Sequence, residues 1–218
     1  MTADFDRPRA HAIFLSQVGG IGRYYEMAVD ERQCVERLRR GDGDAFDQIY
    51  ADYRPRIFSF LARMTGQRAL AEDLVQETFI RLVRFAPRLS EDTRIGVWLY
   101  TVARNLCRSQ LRWALVEDSK VEAHGRNSET QPHQPSPFDM TSAREIERAV
   151  ERALLRLPFE QREALILIAV ERLETSDVAD LLGLTRDALR QRLSRARKGL
   201  ARAIERQGVD LTLALQGG

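Results

Sequence analysis

The stretch that decides the fold reads TSDVADLLGL (175–184) followed directly by TRDALRQRLSRARKGLAR (185–202). Thr175 is the predicted N-cap of a first helix, because its hydroxyl can accept from the free N–H groups of the first turn. Gly183 is the predicted stop, since glycine adopts the left-handed conformation at little cost. Thr185 is then the predicted N-cap of a second helix. Two short helices joined by a tight glycine-containing turn form a helix-turn-helix.

The second helix of this pair carries an unusual charge. Between Thr185 and Arg202 the chain has seven basic residues and one acidic residue, Asp187, a net charge of +6, whereas the whole chain carries only +2. Because duplex DNA is a polyanion, a basic helix in its major groove gains from counterion release. A solvated face would have the same composition, but the capped helix and glycine turn ahead of it favour DNA binding. Apolar residues recur at helical spacing in both helices, at Val178, Ala179, Leu181 and Leu182 and at Ala188, Leu189, Leu193, Ala196 and Leu200.

Composition predicts an all-α protein with one large or two small domains. The 218 residues are 44% hydrophobic, which is enough for real cores, and 30% charged, which is typical of soluble proteins. Glycine and proline are sparse, and strand-like alternation is hard to find. No apolar run approaches the roughly 20 residues of a membrane span, and the N-terminus lacks the pattern of a signal peptide. We therefore expect a cytoplasmic protein.

No residue pattern points to catalysis, a metal or a cofactor. Cys34 and Cys107 lack metal-ligand or CxxC spacing, so free thiols in a reducing cytosol are expected, with a redox pair as the alternative. The three histidines, His11, His124 and His133, are scattered. Because no nucleophile–base pair and no metal constellation is recognisable, we predict a protein that is not an enzyme.

The chain divides into two small helical domains joined by a flexible linker. The linker contains three prolines and has five acidic against two basic residues, a net charge of −3, which is typical of a disordered connection. Residues 142–145 read as a capping box that opens the second domain. The predicted segments are an N-terminal extension at 1–30, a first helical domain at 31–114, the linker at 115–141, the helix-turn-helix domain at 142–207 and a tail at 208–218.

Apolar residues at helical spacing predict a long helix early in the first domain. Asp44 is its predicted N-cap, Pro55 is expected to kink or restart it, and Gly66 ends it. Its aromatic residues are interpreted as core rather than as a ligand site. The apolar positions are Phe46, Ile49, Tyr50, Tyr53, Ile57, Phe58, Leu61 and Met64.

A second amphipathic helix is predicted over 69–85. Its polar face has acidic residues early and arginines late, which suits the helix dipole. Ile80 is the exception, because it is apolar but lies beside Gln76 and Glu77 on the polar face, which suggests a contact surface. The buried stripe is predicted at Ala71, Leu74, Val75, Phe79, Leu82 and Val83.

A basic helix at 96–113 follows a predicted loop at 86–95. No acidic residue occurs over 94–113, and aromatic residues alternate there with arginines. Sites for single-stranded nucleic acid use this combination, because bases stack on rings while guanidinium groups neutralise phosphates. Composition alone still favours a core position for Trp98 and Tyr100.

Three motifs in this order resemble a bacterial extracytoplasmic-function sigma factor, a small alternative subunit of RNA polymerase with two helical domains. They are AEDLVQETFIRLVRF (71–85), GVWLYTVARNLCRSQLR (96–112) and LPFEQREALILIAVERLETSDVADLLGLTRDALRQRLSRARKGL (157–200). The resemblance covers about residues 36–206. Each motif alone is moderately specific for the family, whereas the three motifs in this order and spacing are a strong indication of it.

The resemblance implies that the first two motifs act on core polymerase and on the minus-ten element. The 71–85 helix would grip the clamp coiled coil of core polymerase, and this contact gives Ile80 a reason to be apolar. Its implied contact residues are Asp73, Gln76, Glu77 and Ile80. The 87–95 loop and the following helix would read the minus-ten element and capture a flipped base. The implied residues there are Trp98, Tyr100, Arg104, Asn105, Arg108 and Arg112. Ser109 stands where the family commonly has Asp, which leaves the minus-ten preference open.

The same resemblance implies that the last helix reads the minus-thirty-five element. The early turns of such a helix reach deepest into the major groove. Arg192 and Arg197 are expected in phosphate-backbone contact or in pairing within the domain. Residues 187–189 read Asp-Ala-Leu where many relatives have Gly-Thr-Val, so the DNA sequence that is read is expected to differ. Base or phosphate contacts are predicted for Arg186, Arg190, Gln191, Ser194 and Arg195.

The implied partners are core RNA polymerase, promoter DNA and an anti-sigma factor that covers both domains, with no membrane insertion. The linker would thread through polymerase near the RNA exit path. Two other classes stay open from the residues themselves. A free-standing regulator would bind an isolated operator without polymerase, and an interaction protein would sequester polymerase or a partner. The basic aromatic helix at 96–113 favours the sigma factor over both.

Overall fold

The computed structural model describes the backbone of residues 31–121 and 142–207 and the side chains of residues 31–113 and 147–207. These residues fall into two compact parts, called here the N-terminal unit and the C-terminal unit. Every regular element in the described ranges is helical, which confirms the all-α prediction. The predicted extension at 1–30, most of the linker and the tail at 208–218 lie outside the described residues.

The described residues of the N-terminal unit form α-helices and a short 3₁₀ turn, and the second helix begins with a well-defined cap. Its helices are α1 (Glu31–Arg39), α2 (Gly43–Thr65), α3 (Arg68–Phe85) and α4 (Ile95–Val121), with a 3₁₀ turn at Ala86–Arg88. The cap of α2 is Asp42 rather than the predicted Asp44, because the Asp42 carboxylate accepts from the backbone N–H groups of Asp44 and Ala45 at 3.0 and 3.3 Å. Arg37 donates to the same carboxylate at 2.7 Å, and this hydrogen bond lowers the pKa of Asp42.

Helix α2 is continuous through Pro55, so the helix does not restart there. The proline lacks an N–H for the carbonyl of Ala51, but both residues are exposed, and water can hydrogen-bond that carbonyl. The helix ends at Gly66 as predicted. Gly66 adopts the left-handed conformation with φ 71°, and its N–H donates to the Ala62 carbonyl at 2.8 Å.

Aromatic rings from two helices form the centre of the N-terminal core. Phe60 of α2 and Tyr100 of α4 are both 0% exposed, and their rings meet edge to face with centroids 5.5 Å apart. Tyr53 is buried nearby, and burial raises its pKa to about 12. The guanidinium of Arg56 lies over the rings of Tyr53 and Tyr100, at 5.3 and 5.9 Å from their centroids. Such contacts join α2 to α4 tightly.

Two residues that were predicted to be buried lie at the surface. Tyr50 is 37% exposed and Val83 is 54% exposed. Tyr50 lies where α2 meets α3, and its ring packs against that of Phe79 with centroids 4.8 Å apart. The predicted buried stripe of α3 wrongly included Val83 and missed Thr78, which is fully buried. The hydroxyl of Thr78 donates to the Leu74 carbonyl at 2.7 Å.

Helix α4 is longer than predicted at its C-terminal end. It runs to Val121, so the residues at 115–121 are helical and the prediction of a linker that starts at 115 is wrong there.

The first turn of α4 lies very close to α2. A Cβ added at Gly96 would lie 2.8 Å from the hydroxyl oxygen of the buried Tyr53, so the two helices can approach this closely only with glycine.

Replacement of this glycine should loosen the N-terminal unit. We expect Gly96→Ala to destabilise the protein by about 1–3 kcal/mol, because the new methyl group must displace a buried tyrosine. Gly43→Ala is the matched control, since nothing lies within 4 Å of its Cβ position and the alanine should stabilise by about 0.4–1 kcal/mol. Urea unfolding of both variants followed by circular dichroism is the measurement. Equal stability of the two variants would contradict the close approach.

The C-terminal unit packs a helix-turn-helix against two preceding helices. Its elements are α5 (Ser142–Leu155), α6 (Phe159–Leu165), a π-helical turn (Ile166–Val170), α7 (Thr175–Leu182) and α8 (Arg186–Glu205). Pro158 occupies the N-cap position of α6, at the predicted start of that helix. The side chains of the predicted capping box at 142–145 lie outside the described ones. Of the predicted core stripe, Val150, Ala153 and Leu154 of α5 are buried, as is Leu157 just after the helix.

Both cysteines are buried and free, as expected for the reduced state. Cys34 is 2% exposed and Cys107 is 0% exposed. Burial raises the pKa of the Cys34 thiol, because desolvation disfavours the thiolate. Within the described ranges, no cluster of three His, Cys, Asp or Glu residues could hold a metal ion. In the same ranges no helix is both long and apolar enough to cross a membrane.

Candidate nucleic-acid and polymerase-binding surfaces

The turn between α7 and α8 fixes the angle between these two helices of the C-terminal unit. Gly183 has φ 65°, its N–H donates to the Asp180 carbonyl at 3.1 Å, and the N–H of Leu184 donates to the Ala179 carbonyl at 2.8 Å. These paired bonds form a Schellman motif. The hydroxyl of Thr185 then accepts from the N–H of Ala188 at 3.1 Å and caps α8, as predicted.

The predicted cap of α7 is displaced by one residue. Glu174 occupies the N-cap position, without a side-chain hydrogen bond, and Thr175 is the first helical residue. With helical backbone angles at Thr175, its hydroxyl no longer lies ahead of the free N–H groups that a cap must satisfy.

Helix α8 has one buried face and one exposed face. The buried residues are Leu189, Leu193, Ala196, Leu200, Ala203 and Ile204. All five residues predicted to contact the minus-thirty-five element are exposed. We call this set the α8 face, and it consists of Arg186, Arg190, Gln191, Ser194 and Arg195.

Two arginines of α8 have different ion-pair partners. Arg190 donates to Asp187 at 2.8 Å, one turn earlier on the helix, and both side chains are about 80% exposed. Asp187 therefore does not leave an unpaired negative charge on the α8 face. Arg192 instead points inward, 3.5 Å from the fully buried carboxylate of Glu163 in α6. The prediction of pairing within the domain is thus confirmed for Arg192.

The outward side of α4 brings together most residues predicted for the minus-ten element. Trp98, Asn105 and Arg112 follow one another at seven-residue intervals, so they lie on one side of the helix, and Arg108 lies between the last two. Asn105, Arg108 and Arg112 are exposed, and Trp98 is half-buried. Arg104 lies at the edge of this side and donates to the Asn105 side chain at 3.4 Å. We call Trp98, Asn105, Arg108 and Arg112 the α4 face.

Tyr100 does not belong to this surface, and its prediction as a DNA contact is wrong. Its side chain is 0% exposed and packs edge to face on Phe60, on the inward side of α4. The physical reason is the helical period. A position two residues after Trp98 is rotated by more than half a turn, so a ring there faces the core when Trp98 faces outward.

Phe85 is a residue of this region that the sequence did not single out. Its ring stacks on Trp98 with centroids 5.8 Å apart and an angle of 25° between the planes, and it is 41% exposed. The loop between them is held by the buried side chains of Ala86 and Leu89. An aromatic residue in the last position of a helix, directly before a loop that is predicted to contact DNA, is the signal that would have found it.

The predicted polymerase contacts lie on the outer side of α3. Asp73, Gln76 and Ile80 are exposed there, with Ile80 36% exposed. Glu77 is half-buried and accepts from Arg81 at 2.8 Å, one turn later. Val83 adds a second exposed apolar side chain one turn beyond Ile80. We call Asp73, Gln76, Glu77 and Ile80 the α3 face.

Two family models match the two structural units. The model described as Sigma-70 region 2 matches residues 49–114, and the model described as Sigma-70, region 4 matches residues 147–200. The first match contains the α3 and α4 faces, and the second contains the α8 face. The two matches together identify the class of the protein as an RNA polymerase sigma factor.

Curated relatives define the family more narrowly. The chain is 36% identical over 162 residues to RNA polymerase sigma factor CarQ of Myxococcus xanthus, across 74% of this chain and 90% of CarQ. It is 31% identical over 178 residues to the extracytoplasmic-function sigma factor SigM of Mycobacterium tuberculosis, across 80% of this chain and 86% of SigM. The chain belongs to the extracytoplasmic-function family of RNA polymerase sigma factors, which are transcription initiation factors.

Solved structures have the same fold. The sigma factor RpoE of Bartonella quintana, crystallised in complex with the anti-sigma factor NepR, is 26% identical with a TM-score of 0.62, across 73% of this chain and 96% of that one. CnrH, in complex with the cytosolic domain of CnrY, is 23% identical with a TM-score of 0.60, across 80% of this chain and 97% of that one. The second likeness supports the fold alone.

The contrast between Arg192 and Arg195 on α8 gives a test of the described surfaces. We expect Arg192→Ala to lower stability by about 1–3 kcal/mol, because it removes a partner from a buried carboxylate. Arg195→Ala should change stability by less than about 0.5 kcal/mol, because that side chain is exposed. Thermal unfolding of both variants measures the difference. A larger loss for Arg195→Ala than for Arg192→Ala would show that the two faces of α8 are assigned wrongly.

Proposed function

We propose that this sigma factor binds core RNA polymerase through the α3 face, melts and reads the minus-ten element with the α4 face, and reads the minus-thirty-five element with the α8 face. The single observation that carries the proposal is the presence of two arginine-rich helix faces, one in each unit, each opposite a well-packed core. A free-standing operator-binding protein has a use for the α8 face but none for the α4 face. A sequestering protein has a use for the α3 face alone.

The acidic and apolar side chains of the α3 face support its role in binding core polymerase. Asp73, Gln76 and Glu77 offer hydrogen-bond acceptors around the exposed Ile80, so the patch combines an apolar centre with a polar rim. Protein interfaces commonly have this arrangement. The coiled coil of the polymerase clamp, which the family resemblance implies as the partner, would place its basic or amide side chains on that rim.

The α4 face supports capture of the displaced single strand. Trp98 offers a ring on which a flipped base can stack, and Phe85 stacks behind it and holds it in place. Base–aromatic stacking contributes about 1–3 kcal/mol per base. Arg108 and Arg112 lie further along the same side, where they can neutralise successive phosphates, and Asn105 supplies an amide for a base edge. No acidic residue over 94–113 opposes the DNA.

The α8 face supports readout of duplex DNA. Arg186, Arg190 and Gln191 lie in the first two turns, which are the turns that enter a major groove most deeply in a helix-turn-helix. Arginine pairs bidentately with guanine, and glutamine pairs with adenine. Asp187 holds the Arg190 guanidinium before DNA arrives, so Arg190 must exchange a carboxylate partner for a base edge.

Control by an anti-sigma factor and a location with polymerase in the cytoplasm complete the proposal. The support is the likeness at 26% identity to a sigma factor that was crystallised with its anti-sigma factor. An anti-sigma factor that covers the α3 face would block polymerase. A protein that works on core polymerase and promoter DNA has to be where both are, which is the cytoplasm.

Run-off transcription tests the proposed function as a whole. Purified core polymerase is incubated with and without this protein on a pool of upstream fragments from its own genome. We expect discrete new transcripts that depend on the protein, because it supplies promoter recognition that core polymerase lacks. Core binding without transcripts would favour the sequestering protein. Tight binding to isolated DNA without any core binding would favour the free-standing regulator.

The Arg190 side chain should determine preference at one position of the minus-thirty-five element. We expect Arg190→Ala to reduce discrimination there by about 1–3 kcal/mol, because a bidentate base contact is lost. The readout is the ratio of transcripts from the matched promoter and from promoters with single-base changes in that element. Lys198→Ala is the control. It is an exposed cation on the same helix, and it should weaken all promoters evenly. An unchanged ratio for Arg190→Ala would remove Arg190 from the reading residues.

A further inference from the structure

Helix α1 lies outside the residues that the Sigma-70 region 2 model matches, which begin at residue 49. It nevertheless contacts the segment between α3 and α4, on which the proposed minus-ten recognition depends. This segment, residues 89–94, is called here the reading loop. Three polar contacts join α1 to the reading loop and to the start of α4.

Two of these contacts are ion pairs to neighbouring acidic residues of the reading loop. Arg39 donates to the carboxylate of Glu91 at 3.0 Å, and Arg32 donates to the carboxylate of Asp92. The two arginines lie at opposite ends of α1, so the pairs hold the loop along the length of the helix. They also neutralise the two carboxylates that would otherwise repel the DNA backbone close to the α4 face.

The third contact lies at the first turn of α4. The carboxylate of Glu31, at the start of α1, accepts a long hydrogen bond of 3.4 Å from the backbone N–H of Gly96. The first N–H groups of a helix have no partner within the helix and favour a negative charge. A side chain of α1 therefore contributes to the cap of the helix that carries the α4 face.

Helix α1 is firmly seated, so it can hold the loop. Cys34, Val35 and Leu38 are 2%, 0% and 4% exposed, and they anchor α1 in the core of the N-terminal unit. On the other side Leu89, 3% exposed, anchors the beginning of the reading loop. The polar contacts of α1 thus act on residues 90–94 from a fixed helix, together with the loop's own hydrogen bonds from the N–H groups of Asp92 and Thr93 to Ser90.

We propose that α1 is a positioning element for minus-ten recognition, which holds the reading loop and the start of α4 through Arg39–Glu91, Arg32–Asp92 and Glu31–Gly96. The inference rests on the proposed function of the α4 face, because the loop has to be a reading loop for its position to affect promoter choice. An exposed ion pair shifts an equilibrium by only about two- to fivefold. The pairs therefore mainly change how often the loop is in the position that the structure shows, and they change the stability of the domain less.

A charge-swap cycle on the full-length protein with core polymerase tests this inference. The variants are Arg39→Glu, Glu91→Arg and the double variant that exchanges both charges. The readout is the ratio of run-off transcripts from a matched minus-ten element and from one with a single-base change. A ratio is used because the added arginine in the loop also raises general affinity for DNA. We expect each single variant to reduce the ratio by about two- to fivefold, and the double variant to restore it.

Arg40→Glu is the matched control, since Arg40 forms its ion pair with Glu36 of α1 itself. It reverses the same charge at the same end of α1, and its ratio should stay that of the wild type. Independent additive losses in the double variant, or an equal loss in Arg40→Glu, would overturn the positioning role.

Amide hydrogen exchange of the free protein separates this inference from the proposed function. We expect faster exchange over 90–96 in Arg39→Glu and recovery in the double variant. If the wild type supports no transcription, the proposed function fails, while the exchange experiment still reports whether α1 holds the loop. If exchange responds and the transcript ratio does not, α1 holds the loop without any influence on promoter choice, and the inference is wrong.

Discussion

Burial of Tyr100 against Phe60 is the contact on which the layout of the N-terminal unit depends. Once this ring faces inward, with Leu99 and Ala103 beside it, the helical period leaves the opposite side of α4 for arginines and Trp98. The close approach at Gly96 brings the same helix against α2, so its rotation is fixed at the first turn. The chemistry of the outer side is therefore a consequence of packing on the inner side.

The fold was largely predictable because local signals and the apolar pattern agreed. Gly66, Gly183 and Thr185 mark helix ends through backbone conformation and capping, which depend on neighbouring residues alone. The misplaced caps at Asp44 and Thr175 are errors of one or two positions, where an adjacent polar residue competes for the same role. The helical end of α4 at 115–121 was missed because a nearby acidic, proline-containing stretch dominated the composition.

The residues of the candidate sites were also predicted only where the local sequence pattern was unambiguous. The α8 face follows from one clean helical pattern, so each predicted residue lies on the exposed side. Tyr100 was misassigned because an aromatic residue among arginines reads the same way in sequence whether it stacks on a base or fills a core. The position of Phe85 at the end of α3 could have marked it as a candidate, but its stacking on Trp98 and the contact of α1 with Glu91 could not be found, because each joins positions that are distant along the chain or separated by a loop.

The two-sided construction of α8 has an evolutionary consequence. Leu189, Leu193 and Ala196 carry the packing, and Arg192 is committed to Glu163, so these positions are constrained by folding. The exposed side is nearly free of such constraint. With the role proposed for the α8 face, duplicated copies of a gene for this protein could therefore diverge in promoter preference through substitutions beside Arg190 without loss of a folded domain. The same freedom makes α8 a practical place to engineer orthogonal promoter pairs for synthetic circuits.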